Sequence, residues 1–119
     1  MGPPQDDDGL QSRALRLSDE YLGGLAVPES VRWVDNQLQR WGSCTPRDRT
    51  IRLSERLRDM PGWVVDYVLL HELSHLLEPK HDASFWAWVE RYPLTERAKG
   101  YLLGWSHASQ MSPPEEFNE

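Results

Sequence analysis

The feature that most constrains this chain is the segment at residues 62–77, which is apolar on almost every side of a helix. Pro61 is suited to the first turn of a helix, and Pro79 follows the end of the pattern. Besides two histidines and a glutamate, only Asp66 and Ser74 interrupt the apolar side chains. A helix that is apolar all round is usually buried at the centre of its domain. We therefore predict a buried central helix over this segment.

The remaining sequence predicts a small sheet and further helices around that segment. Apolar residues recur at helical spacing over residues 10–22, and Gly23 and Gly24 stop the pattern. Short antiparallel strands are expected at residues 31–34, 38–44 and 50–53. Further helices are expected at residues 54–58, capped by Ser54, and at residues 82–91 and 95–103. This order predicts an α+β fold, with a small antiparallel sheet packed on the central helix.

The acidic residues are unevenly distributed, and this decides how the net charge is interpreted. The chain has 119 residues, enough for one domain, and a net charge of −6. Six of its 19 acidic residues lie near the termini, and the remaining 13 balance the 13 Lys and Arg residues. We expect disordered acidic tails at residues 1–9 and 106–119, and a single domain at residues 10–105.

Several classes of protein are excluded by simple features of the chain. The longest apolar run is the five residues from Phe85 to Val89, which is too short to span a bilayer. The first residues lack the basic and apolar regions of a signal peptide. Cys44 is the only cysteine, so no intramolecular disulfide can form. We expect a monomeric cytoplasmic protein without membrane contact.

The sequence His71-Glu72-Leu73-Ser74-His75 lies within the predicted central helix. Side chains four positions apart differ by about 40° around a helix, so both imidazoles can reach one metal ion. Glu72 is displaced by about 100° from the first histidine. From that position its carboxylate can accept a proton from metal-bound water without competing as a ligand.

A third ligand is offered by His81, which follows a Glu78-Pro79-Lys80 break that can turn the chain back towards the helix. A catalytic zinc ion takes three protein ligands and keeps the fourth position open for water. We predict one Zn2+ per chain, bound by His71, His75 and His81, with Glu72 as the catalytic general base. The alternative is two packed core imidazoles and one on the surface, without metal. His107 is expected to be an exposed bystander.

Three motifs share their order and spacing with a known family. They are Arg40-Trp41-Gly42-Ser43-Cys44, then His71-Glu72-Leu73-Ser74-His75-Leu76, then His81-x-x-x-Phe85-Trp86. Over roughly residues 31–103 the chain resembles the YgjP-like (SprT-related) zinc metallopeptidase family. The resemblance implies a minimal zincin-like domain that hydrolyses a peptide or protein substrate with the same three histidines and glutamate.

The segment at residues 40–44 is the candidate edge strand for a peptide substrate, which zincins generally bind by main-chain pairing. Gly42 would permit a close backbone approach there. The alternative is that Trp41 anchors the core and Gly42 forms a bulge. Cys44 is expected to be a small apolar core residue, with a thiolate fourth ligand as the alternative. Tyr92 and Tyr101 are the candidates for stabilising an oxyanion.

Two rival functions compete with peptide hydrolysis. Six arginines crowd residues 40–58, namely Arg40, Arg47, Arg49, Arg52, Arg56 and Arg58. They could contact nucleic acid, although a solvated surface with local ion pairs is the commoner meaning.

The histidine spacing also resembles a bacterial rRNA-maturation metalloprotein family, which would make the chain an RNA-processing hydrolase. That family lacks a glutamate after its first histidine, so Glu72 favours the peptidase. A non-catalytic metal-binding interaction module would have no use for Glu72 and normally has four protein ligands.

Overall fold

The computed structural model describes residues 7–35 and 40–109 and confirms the predicted α+β order. Its helices are α1 (Asp7–Tyr21), α2 (Gly62–Ser74), α3 (Ala83–Val89) and α4 (Thr95–Ala108). Its strands are β1 (Ser30–Val34), β2 (Gly42–Thr45) and β3 (Thr50–Ser54), followed by a 3₁₀ helix at Glu55–Asp59. Residues 38 and 39 of the second predicted strand and most of the predicted tails lie outside the described residues and stay predictions. The helices extend into the predicted tails, since residues 7–9 belong to α1 and residues 106–108 to α4, where Ser106 is buried.

Helix α2 is the predicted central helix, and ten of its 13 residues are buried. It contacts α1, α3, α4, β2 and β3, so every layer of the domain packs on it. The helix ends at Ser74 and not near residue 77, with His75 as its C-cap. The amide groups of Leu76 and Leu77 bond to carbonyls three residues back, both at 3.0 Å, which tightens the last turn. His75 keeps right-handed helical torsions, φ −67° and ψ −19°, so its ring still follows the helix.

The sheet is mixed, which corrects the prediction of an antiparallel sheet. The strand order is β1-β3-β2; β3 runs antiparallel to β2 but parallel to β1, with Val31 opposite Ile51. After β1 the chain crosses to the far edge of the sheet, and β3 then returns between the two earlier strands. Alternation of apolar residues shows which face of a strand is buried but carries no information on strand direction.

The two faces of the sheet have different roles. The inner face packs on the helices and buries Val31, Trp33, Ile51 and Leu53. On the outer face Arg52 lies in register with Arg32 on one side and Ser43 on the other. Cys44 alternates with Ser43 along β2, so it belongs to the inner face, towards α2.

Local caps and ion pairs fix the helices around α2. The Ser54 hydroxyl accepts from the Arg56 amide, which confirms the predicted cap of the 3₁₀ helix. Arg13 of α1 forms an ion pair with Asp66 of α2 at 2.6 Å. The Asp82 carboxylate accepts from the Phe85 amide at 3.0 Å and caps α3. In the part of the chain that the structure describes, no helix has the length and apolar character needed to cross a membrane.

Candidate metal centre

The structure brings together the three histidines that the sequence singles out. His71 comes from α2, His75 is the C-cap of that helix, and His81 comes from the loop before α3. Their candidate ligand atoms all lie within 4.8 Å of one another, and the Nε2 atoms of His75 and His81 are 3.0 Å apart. Nitrogen ligands of a tetrahedral zinc ion are separated by about 3.3 Å, given bonds of about 2.0 Å. Across residues 7–35 and 40–109 this is the one group of three or more side chains arranged to hold a metal ion.

The turn after α2 orients two of these rings. The Nδ1 group of His75 donates a hydrogen bond to the Glu78 carbonyl at 3.2 Å. In a neutral imidazole this leaves Nε2 unprotonated, which is the form that binds a metal ion. The turn at residues 78–80 therefore returns His81 to the helix and also fixes the ring of His75.

Aromatic rings from α3 pack against the histidines. Phe85 stacks on His75 with ring centres 4.3 Å apart, and it meets His71 edge-on at 4.9 Å. Trp86 stacks on His81 at 6.0 Å, and the Lys99 ammonium lies 5.0 Å above the same indole. The third sequence motif, His81-x-x-x-Phe85-Trp86, thus combines one candidate ligand with the two aromatic rings that pack against the histidine cluster.

Glu72 lies beside the cluster and is fully buried. Neither of its carboxylate oxygens has a hydrogen-bond partner among the described residues, although Oε2 is 3.4 Å from Nδ1 of His71. Burial raises the pKa of the Glu72 carboxyl to about 8, against the opposing charges of Arg40 and Arg52. A buried carboxyl without a hydrogen bond is costly. Its place next to three convergent imidazoles fits a group that exchanges protons with a molecule bound at the metal site.

One cavity opens onto this arrangement. It has a volume of about 220 Å³ and is lined by Arg40, Cys44, Pro46, Glu72, His75, Pro79 and His81. His71 is completely buried and does not line the cavity. The histidine cluster is therefore closed off at His71. The rings of His75 and His81 face the cavity, which Glu72 also lines.

Two residues of the motif at residues 40–44, Arg40 and Cys44, line the cavity together with Pro79 and His81 of the turn. Trp41 is completely buried, with its ring 5.0 Å from Trp105 and the Arg56 guanidinium 4.2 Å away, so it anchors the core. Gly42 pairs regularly with Leu53, which excludes the bulge that was the alternative at this position. The close approach at Gly42 is to Glu72, since a β-carbon there would lie 3.1 Å from its Oε2.

Cys44 lines the cavity but is not part of the histidine group. It is half-buried and packs against the core, close to the predicted role. Burial, and next the nearby Glu72, raise the pKa of its thiol to about 12, while Arg52 acts in the opposite direction. The geometry argues against Cys44 as a fourth ligand, because its sulfur is not grouped with the three convergent histidines.

The predicted oxyanion-stabilising tyrosines lie away from the cavity. The Tyr92 hydroxyl donates to the Trp63 carbonyl at 2.8 Å, and the Tyr101 ring packs on Trp63 at 5.8 Å. Arg40 lines the cavity instead, and the sequence predicted for it a place in the edge segment and in the arginine-rich segment but no catalytic role. The available signal was its position directly before Trp41 in the first motif. His107 is exposed, as predicted.

Four of the six crowded arginines have partners within the domain. Arg52 donates to the hydroxyls of Ser43, Thr45 and Thr50, and Arg56 donates to the Arg40 carbonyl at 2.8 Å. Arg49 and Arg58 lie 3.8 Å and 3.7 Å from the carboxylates of Glu29 and Glu55, respectively. These contacts agree with the interpretation of this segment as a surface with local interactions.

Fold and site together define a zincin-like, metal-dependent peptidase. The family model of the YgjP-like, metallopeptidase domain matches residues 11–102, most of the chain, and the protein belongs to this family. Among solved structures, the chain is similar to the metallopeptidase zymogen of Pyrococcus abyssi abylysin, with a TM-score of 0.70. The two are 24% identical over 87% of this chain and 98% of abylysin, a level that demonstrates a shared fold. No curated protein gives a significant match. Family membership makes this chain a hydrolase of peptides or proteins that depends on a divalent metal.

Proposed function

We propose that this protein is a zinc endopeptidase in which His71, His75 and His81 bind the metal and Glu72 is the general base. The observation that supports this most is the position of Glu72. Its buried carboxylate, without a hydrogen-bond partner among the described residues, shares one cavity with two of the three convergent histidines. A site that only stabilised the fold would have no use for such a group.

The choice of zinc rests on the chemistry of the ligand set. Three imidazoles without a thiolate or carboxylate suit zinc and other late first-row metals, and disfavour Mg2+ and Ca2+. The convergence of the nitrogens on one side of the cavity suits a tetrahedral ion with its fourth position open. When bound, zinc supplies the Lewis acidity that polarises a carbonyl and makes water a nucleophile near neutral pH.

The residues of the chain then move the protons. The Glu72 carboxylate accepts a proton from the attacking water and delivers it to the nitrogen of the departing amine. Its burial favours the role of base, because a carboxylate whose pKa is raised accepts a proton from water more readily than an ordinary glutamate. The turn at Glu78 and the rings of Phe85 and Trp86 hold the imidazoles in place during this exchange.

The substrate is bound along β2 in this proposal. Strand β2 lies at one edge of the sheet, and its residue Cys44 lines the cavity. A peptide paired with this edge gains main-chain hydrogen bonds and passes beside Glu72. Because such a peptide extends in both directions from the cavity, cleavage within a chain is expected, as in an endopeptidase.

A peptide library tests this function directly. Zinc-loaded protein is incubated with a diverse set of peptides, and the products are identified by mass spectrometry. We expect internal cleavage, which Glu72→Gln abolishes while the zinc content stays at about one per chain. His107→Ala is the matched control, since this exposed histidine lies outside the cluster. Cleavage by Glu72→Gln at the parental rate would refute the general base, and cleavage of RNA in a parallel reaction would favour the rival hydrolase.

A further inference from the structure

The cavity beside the histidines contains one permanently charged cation. Of its seven lining residues, His75 and His81 are candidate ligands, Glu72 is the base, and two are prolines. The thiol of Cys44 is neutral and a weak hydrogen-bond donor. Arg40 is therefore a strong hydrogen-bond donor in the cavity wall. Neither the binding of a metal ion nor the activation of water uses it.

The guanidinium of Arg40 is available to a ligand. Arg40 is exposed, and its side chain forms no hydrogen bond or ion pair with any residue that the structure describes. Its neighbour Arg52 differs, since it donates to three hydroxyl groups on the outer face of the sheet. Arg47 is also exposed, and what distinguishes Arg40 from it is that Arg40 lines the cavity.

The backbone that carries Arg40 is held by hydrogen bonds just before β2. Its carbonyl accepts a hydrogen bond from Nη2 of Arg56 at 2.8 Å. The next residue, Trp41, is fully buried, and its carbonyl accepts from the Ser54 amide at 2.9 Å. The charge of Arg40 also acts on Glu72, where it is the largest influence opposing the rise in the carboxyl pKa. A hydrogen-bonded backbone thus carries the Arg40 cation on the Glu72 side of the cavity.

We propose that Arg40 is a catalytic residue that donates hydrogen bonds to the oxyanion formed when water adds to the scissile carbonyl. The inference rests on the proposed peptidase function. In this step the water oxygen bonds to the carbonyl carbon, the π electrons move to the carbonyl oxygen, and Glu72 takes the proton. When the C–N bond breaks, that charge returns to the carbonyl and the proton passes to the amine. Donors aimed at such a developing charge lower the barrier, because the charge is greatest near the transition state.

The test compares Arg40→Met with Arg40→Lys and with the control Arg47→Met. Arg47 is an exposed arginine of the same segment that does not line the cavity. On a peptide without acidic residues, Arg40→Met should lower kcat by about 100-fold or more while KM changes by less than about threefold. Arg40→Lys should restore part of the loss, and Arg47→Met should match the parent. Zinc content and Tm should be the same in all four proteins.

A second readout measures binding without turnover. A phosphinic peptide, whose tetrahedral anion resembles the transition state, is titrated into each zinc-loaded protein by calorimetry. Its Kd should rise for Arg40→Met by a factor comparable to the loss in kcat/KM. This arm also separates the two proposals, because the phosphinate can bind to the parent through Arg40 even if no peptide is cleaved. An unchanged phosphinate Kd would overturn the role of Arg40. So would a loss confined to KM and to peptides with Asp or Glu, which would instead make Arg40 a residue for substrate carboxylates.

Discussion

Gly42 lies against Glu72 so closely that a β-carbon at position 42 would be 3.1 Å from Oε2 and 3.2 Å from Cγ of the glutamate. The same β-carbon would lie 3.2 Å from the backbone oxygen of Arg52. The edge strand and the base are therefore in contact through a residue without a side chain. This contact explains why the first motif has a glycine at position 42, since a side chain there would press against Glu72. The explanation does not depend on a bound substrate.

Gly42→Ala should displace the Glu72 carboxylate, because the rigid strand backbone cannot yield as easily as the end of a side chain. We expect kcat to fall by about tenfold to 100-fold, since small misplacements of a catalytic group have effects of this size. Zinc content should be unchanged, because the three atoms nearest to the new β-carbon belong to Glu72 and Arg52 and not to the histidines. The measurement is kcat on a cleaved peptide, together with zinc analysis.

Gly100→Ala is the matched control for this variant. A β-carbon at Gly100 in α4 meets no atom within 4 Å, so the same chemical change is made without a clash. Alanine in a helix interior is favoured over glycine by about 1 kcal/mol, so Tm should rise slightly at full activity. Equal activity of Gly42→Ala and the parent would show that Glu72 tolerates the shift.

Features that depend on neighbouring residues in the chain were predictable. The central helix follows from its apolar composition, and the Ser54 cap follows from residue type and spacing. The convergence of His71 and His75 is a consequence of helix geometry alone. His81 required one further inference, that the turn at residues 78–80 reverses the chain, and the bond from His75 to Glu78 now accounts for that turn.

Features that depend on distant residues were not predictable. The parallel pairing of β1 with β3 depends on how the chain crosses between sheet edges, which strand periodicity does not encode. The proximity of Gly42 to Glu72 and the place of Arg40 in the cavity arise only when β2 packs on α2. The helix end near residue 77 was wrong because i to i−3 bonds of Leu76 and Leu77 have no sequence signature.

Removal of the third candidate ligand should release the metal. His81→Ala leaves two imidazoles on α2, and we expect zinc affinity to fall by at least about 100-fold, more than the loss of an outer-shell partner causes. Competition with a chromogenic chelator measures the affinity. His107→Ala should bind zinc as the parent does. Full occupancy of His81→Ala at limiting zinc would show that His81 is not a ligand.

The metal-free protein should lose stability as the pH rises through neutrality, and Glu72 is the cause. Its carboxyl has an ordinary pKa of 4.5, which burial raises to about 8 in the folded chain. Between these values the folded state holds a proton that the unfolded state has released, so the free energy of unfolding decreases with increasing pH. Glu72→Gln cannot titrate and should be free of this loss.

Thermal melts after chelation test this relation. We expect the metal-free parent and Glu72→Gln to have similar Tm values near pH 5. Near pH 8 the Tm of Glu72→Gln should be several degrees higher, since about 1 kcal/mol in the free energy of unfolding corresponds to roughly 5 °C. Burial, and next the charges of His71 and His81, lower the pKa of His75 to about 4. Both proteins should therefore also lose stability as the pH falls from about 6.5 towards 4. A parent as stable as the variant at pH 8 would contradict the raised pKa of Glu72.

Cys44 should react slowly with alkylating reagents in the folded protein. Its thiol pKa is raised from 9.0 to about 12, first by burial and then by the charge of Glu72. At pH 8 this lowers the thiolate fraction by roughly 1,000-fold, and the thiolate is the nucleophile. Labelling with iodoacetamide, followed by mass spectrometry, should therefore be at least about 100-fold slower in native than in urea-unfolded protein. The native rate should also be the same with and without zinc. A native rate close to the unfolded rate, with protection only after zinc is added, would instead identify Cys44 as a thiolate ligand of the metal.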